Sequence, residues 1–150
     1  MFRTWMTVAI AAFVLPAGGA WAQDPAEGLW RTIDDATGKP RSLVRISENN
    51  GVLSGRVVKL FREPGEDPNP ICEKCENSRR NQPVLGLTIL TDMRREGREY
   101  TGGEILDPSN GKVYKARMAL SENGSKLDVR GYIGMPMLGR TQTWERVQEQ

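Results

Sequence analysis

Residues 127–147 read LDVRGYIGMPMLGRTQTWERV. Leu127 and Val129 alternate with Asp128 and Arg130, the period of two that turns one face of a strand to a core and the other to water. A strand is expected over Lys126 to Tyr132. An apolar connection, Ile133 to Gly139, follows it. A second strand covers Arg140 to Val147 and contains the triplet Trp144-Glu145-Arg146. A two-stranded ribbon does not hold itself together in water, so the rest of the chain must supply its neighbours.

Upstream, the same signals recur. Lys112 to Leu120 places Tyr114, Ala116, Met118 and Leu120 on one face and Lys115 and Arg117 on the other. Further back come Glu99 to Leu106, with Gly102-Gly103 as a bend, then Leu85 to Met93, and then Val52 to Phe61, with Gly55 as a bulge or bend. Ser42 to Ser47 and Gly28 to Ile33 complete the set. Between them lie turn compositions: Asp34 to Pro40, Glu48 to Gly51, Arg94 to Gly97, Asp107 to Gly111 and Ser121 to Gly124. Asn50-Gly51 is the strongest of these, because a tight hairpin needs positive φ at its centre. No window carries a helical stripe. The expected fold is all-β, an eight-stranded antiparallel up-and-down barrel with one buried and one wet face.

In that topology alternate connections share an end. Three tight links lie at one end. The other end gathers Asp34 to Arg41, the Arg62 to Pro83 segment, the Asp107 turn and Ile133 to Gly139, which makes it the expected mouth. Arg62 to Pro83 holds Pro64, Pro68, Pro70, Pro83 and both cysteines, and a connection that long is functional or tied down. Met135, Met137 and Leu138 fall at the mouth; packing into the opening is favoured for them over exposure to a ligand. At the opposite end the first and last strands meet, so Trp30 and Arg146 are expected to stack and close the barrel. Val44, Ile46, Tyr114, Met118, Val129 and Trp144 are the candidate interior residues for contact with a ligand, and Met135 and Met137 are candidates for it at the mouth.

Residues 1–22, MFRTWMTVAIAAFVLPAGGAWA, read as a cleavable secretory signal: Arg3, an apolar run too short to span a bilayer, helix breakers, and Ala20-Trp21-Ala22 before the cut. The mature domain is then 23–150, periplasmic or secreted, with no transmembrane anchor after cleavage. Loss of Arg3 leaves 20 basic against 19 acidic residues, one below the 21 Lys and Arg of the full chain. That balance gives no reason to expect nucleic acid as a partner. The chain contains no His among its 150 residues, which excludes Ser-His-Asp and Cys-His catalysis and His-ligated metals. Asp34-Asp35 and Glu66-Asp67 are adjacent acids in turn-like sequence, where a surface turn is the expected role. No catalytic residue, cofactor or metal is expected.

Cys72-Glu73-Lys74-Cys75 admits three readings. A disulfide clipping the loop suits an oxidising compartment. A redox-active pair would exploit the close spacing. A metal site would need Glu73, Glu76 or a second chain to complete it. The disulfide is favoured.

Taken together, Gly28-Leu29-Trp30, the Cys72-x-x-Cys75 loop, Gly103-Glu104-Ile105-Leu106-Asp107-Pro108-x-x-Gly111-Lys112-x-Tyr114, Leu127-x-Val129-Arg130-Gly131-Tyr132-Ile133-Gly134 and Leu138-Gly139-Arg140-Thr141-Gln142-x-Trp144 make the chain resemble a bacterial secreted family, domain-of-unknown-function family 2147. The resemblance covers nearly the whole mature chain. It implies a lipocalin-like barrel in a small exported protein and carries over no catalytic residue. Gly28-Leu29-Trp30 is also similar to the Gly-x-Trp opening of true lipocalins, with Arg146 in the place of their closing Arg. The expected function is binding of a small, partly apolar ligand inside the barrel. The alternatives are a filled barrel docking onto an envelope protein through its loop end, and a redox factor using Cys72 and Cys75.

Overall fold

The computed structural model describes residues 22–149, so the expected signal segment lies, except for Ala22, outside the described residues. Eight strands follow in chain order: β1 Gly28–Ile33, β2 Pro40–Asn49, β3 Val52–Leu60, β4 Thr88–Glu96, β5 Glu99–Asp107, β6 Lys112–Ser121, β7 Lys126–Tyr132 and β8 Arg140–Val147. Each pairs antiparallel with the next, and β1 pairs with β8, so the sheet closes with no free edge. The fold is the all-β up-and-down barrel that alternation and turn spacing predict. Asn50 and Gly51 take φ of 52° and 79°, and β2 turns into β3 there without a longer link.

Boundaries differ from expectation where tertiary pairing overrides local signal. β2 runs on to Pro40 and Asn49. β4 begins at Thr88 rather than Leu85, because Gly86 takes φ of 92° and its N–H donates to the Val57 carbonyl while the Val57 N–H donates to the Leu87 carbonyl, outside regular ladder geometry. At its far end, Arg94, Arg95 and Glu96 pair with Thr101, Tyr100 and Glu99. The turn therefore shrinks to Gly97 and Arg98.

Two irregularities bend the β4–β5 wall. Asp92 has φ of 57° and Gly102 of 80°, and the β5–β6 register shifts between Tyr100 and Gly103. Gly103 faces inward so closely that a Cβ there would lie 2.2 Å from the Thr91 carbonyl oxygen. Gly55 meets Leu90 and Val44 in the same way. Such close approaches tighten the curvature a small barrel requires.

The tight end is packed solid. Trp30, Val44, Ile46, Leu53, Met93, Tyr100, Met118 and Leu127 are buried there. Arg146 stands 4.3 Å from the Trp30 ring centroid, and the two residues are paired across the β1–β8 seam. Its Nε donates to the Gly124 carbonyl at 2.8 Å and its Nη1 to the Glu27 carbonyl at 2.9 Å, while Nη2 donates to the Pro25 carbonyl. Trp30 Nε1 donates to the Ala26 carbonyl at 2.9 Å, and Tyr100 Oη to Asp24 at 2.6 Å. The segment Asp24–Glu27 thus plugs the base. Among the described residues no helix is long and apolar enough to cross a membrane.

Candidate functional site

The other end is open. A cavity of about 730 Å³ descends from the mouth to Thr32, Ser42 and Trp144. Its floor is set by alternation one step above the base. Thr32 is two residues on from Trp30, Ser42 two residues before Val44, and Trp144 two residues before Arg146, and all three line the cavity. Val57, Ile89 and Val129 share this level. Higher up stand Leu60, Ile105, Leu106, Tyr114 and Gln142. The rim comes from all four long-end connections: Ile33 and Arg41, then Arg62 to Val84, then Asp107 to Asn110, then Tyr132 to Arg140.

The walls are unlike. β3, β4 and β5 contribute Val57, Leu60, Ile89, Ile105 and Leu106. β1, β2 and β8 contribute hydrogen-bonding groups. The hydroxyls of Thr32 and Ser42 lie 2.7 Å apart, and the Ser42 N–H donates to Thr32 Oγ1 at 3.1 Å. They are the buried polar residues of the described chain. Trp144 Nε1 donates to Gln142 Oε1 at 3.3 Å, and Gln142 Nε2 donates to Asp35 Oδ2 at 3.0 Å. Arg140 Nη2 meets the same Asp35 oxygen at 2.7 Å. Four basic residues, Arg41, Arg62, Lys74 and Arg140, and two acidic ones, Glu73 and Asp107, line the cavity. Arg62 is paired with Glu66 at 3.0 Å. Arg41 and Lys74 are in no ion pair among the described residues.

The Arg62–Pro83 loop holds its shape by its own bonds and by docking. Ile71 bridges to Pro83, the Cys72 N–H donates to the Gln82 carbonyl, and the Asn81 N–H donates back to the Cys72 carbonyl, both at 2.8 Å. Cys72 and Cys75 form a disulfide and are buried. The Cys72 sulfur lies 3.6 Å from the Pro108 carbonyl oxygen. Gly111, at φ of 71°, leaves room for the backbone of Lys74 and Cys75, since a Cβ there would fall 1.9 Å from the Lys74 carbonyl oxygen. The β1–β2 loop is braced too. Backbone N–H groups of Thr37 and Ala36 hold the Asp34 carboxyl below its ordinary pKa, and Lys39 reaches Glu63 at 3.0 Å.

Of the residues named from sequence, Tyr114, Val129 and Trp144 line the cavity. Val44, Ile46 and Met118 lie below it in the packed base. Trp144 forms cavity floor, one level above the Trp30–Arg146 closure. Met135 and Met137 correct an expectation: they do not pack into the opening but stand 56% and 73% exposed, with Ile133 at 66% and Leu138 at 75%. Arg130 causes this. Its Nε and Nη2 donate to the Pro136 and Met137 carbonyls, at 2.5 and 3.2 Å, and its Nη1 to Thr141 Oγ1 at 2.8 Å. The loop backbone is bound to the wall; Met135 and Met137 stay outside the cavity, while Ile133 and Leu138 line its rim. Thr32, Ser42 and Gln142 were missed, although the period of two that places Trp30, Val44 and Trp144 inside places them inside as well. Nothing local signals the Asp35–Arg140 contact.

Among curated proteins none matches this chain. Among solved structures, protein HP1028 from the human pathogen Helicobacter pylori, which belongs to the lipocalin family, is similar at 26% identity and a TM-score of 0.70, over 83% of this chain and 84% of that chain. The fold is therefore a lipocalin-like barrel. Residues 28–146 match the model of a family described as an uncharacterized protein conserved in bacteria (DUF2147), and the chain belongs to that family.

Proposed function

We propose that the protein is an exported binding protein that holds one small, partly apolar ligand in the open half of its barrel, and that it is not an enzyme. The observation that carries this reading is the division of the interior. The base is packed to exclusion, while above it a cavity of about 730 Å³ opens to solvent between an apolar and a hydrogen-bonding wall. Cavities of this size and mixed lining suit small-molecule ligands. Tyr114, Val129 and Trp144 supply contact surface, and Thr32, Ser42 and Gln142 supply orientation. The signal-like leader and the disulfide support a periplasmic or secreted location. Native mass spectrometry of the protein purified from its own host tests the reading. A bound compound released on denaturation is the expected result; an empty barrel that also takes up no apolar probe dye would refute it.

A second reading, docking of the loop end onto an envelope protein, draws on the exposed Ile133, Met135, Met137 and Leu138. Crosslinking from the Arg62–Pro83 loop that recovers one specific protein would favour it. A redox role has less support, because both sulfurs are buried and thiol exchange needs an accessible one.

A further inference from the structure

Arg140, Gln142 and Trp144 alternate inward along β8 and form a ladder from rim to floor. The donors of the upper two converge on one oxygen, Oδ2 of Asp35, at 2.7 and 3.0 Å. Asp35 reaches them from the β1–β2 loop, beside the seam where β1 pairs with β8. The contact is solvent-accessible, with the Arg140 and Asp35 side chains 72% and 43% exposed. Ion pairs so exposed are weak and readily exchanged.

The lining carries four basic residues, Arg41, Arg62, Lys74 and Arg140, against two acidic ones, Glu73 and Asp107. Arg41 and Lys74 have no ion-pair partner among the described residues. Asp107 accepts from the N–H and hydroxyl of its neighbour Ser109, at 2.9 and 2.6 Å, and Glu73 is in no ion pair among the described residues. An acid entering the cavity therefore meets a rim with more basic than acidic side chains. At that rim stands a guanidinium and amide pair already arranged around a carboxylate oxygen.

We propose that the ligand is a small amphipathic organic acid, and that its anionic group takes the place of Asp35 on Arg140 and Gln142. Its apolar body then lies against Val57, Ile89, Ile105 and Leu106. Asp35 is the chain's own competitor for the site. Burial of the apolar body adds to the charge-assisted contact, so a bound acid outcompetes a carboxylate held only by an exposed ion pair. The inference rests on the cavity being a ligand site.

The test uses two dyes that differ by one anionic group: 1-anilinonaphthalene-8-sulfonate and the neutral N-phenyl-1-naphthylamine. Fluorescence titrations give their affinity ratio in the wild type, Asp35→Asn and Arg140→Gln. In the wild type the sulfonate should bind about tenfold more tightly, the size of one charge-assisted contact. Asp35→Asn should raise that preference by roughly three- to tenfold, by removing the competitor, and Arg140→Gln should abolish it. Equal binding of the two dyes by wild-type protein, a measurement that needs no variant, would overturn the inference while leaving the binding reading intact. So would an Asp35→Asn protein whose preference for the sulfonate falls. If neither dye binds, the inference and the reading it rests on both fail.

Discussion

Arg146 meets three carbonyl oxygens and an indole face at once. A planar guanidinium does this; an ammonium has neither the fork nor the stacking face. Arg146→Ala should destabilise the barrel by about 3 kcal/mol in urea unfolding, combining the stack with charged hydrogen bonds, and Arg146→Lys should recover less than half of that loss. Gly28 shares the constraint, since at φ of 130° a Cβ would come 3.0 Å from Arg146 Nη1. Gly103→Ala should cost about 2 kcal/mol or more, because the Thr91 carbonyl it would strike belongs to a neighbouring strand and cannot rotate away. Tyr100 sets the alkaline limit. Burial first, and then its hydrogen bond to Asp24, push its phenol pKa well above the ordinary 10.0. The folded protein therefore binds that proton more tightly than the unfolded chain. The resulting stabilisation is complete below about pH 10 and is lost as the pH rises above it. Denaturant midpoints of wild type and Tyr100→Phe should thus converge between about pH 10 and 12, the wild type falling toward the variant.

Among the elements, the strands are legible and the loops are not. β1, β7 and β8 match expectation at both ends, because each is bounded by a turn residue or by apolar-to-polar alternation. β4 was displaced by three residues, since Leu85-Gly86-Leu87 reads as strand locally while its backbone bonds go to Val57 instead of a regular ladder. The mouth loops answer to contacts distant in sequence. Cys72–Cys75 closes a very small ring, so Cys72→Ala with Cys75→Ala should cost roughly 2 kcal/mol of chain entropy at most. The damage should be local. Amide exchange should quicken over residues 70–84 and at Asp107–Gly111, where the loop docks, and remain slow in β1, β2 and β8. Arg130→Ala should release the Pro136–Leu138 turn in the same assay, as two of the carbonyls that fix it lose their donor.

For the whole molecule, closure makes the base cooperative. Residues 23–27 lie outside the sheet yet supply acceptors to Arg146, Trp30 and Tyr100. Truncation to Gly28 removes those four hydrogen bonds, at about 1 kcal/mol each, and should lower unfolding free energy by about 4 kcal/mol in a single transition. Against a usual total of roughly 5–15 kcal/mol that is a large fraction. The eight strands, their order, the asymmetry of the two ends and the Trp30–Arg146 seam followed from the sequence alone. These depend on alternation and turn chemistry between near neighbours, and antiparallel order then leaves little choice of partner. The cavity did not follow, because it is what remains after inward side chains from eight strands have filled a volume set by bulges at Asp92 and Gly102. Nor did the Asp35 latch on Arg140 and Gln142, which joins residues 107 positions apart at its Gln142 contact. Volume and long-range charge contacts exist only once the barrel is closed, and the tertiary structure alone decides them.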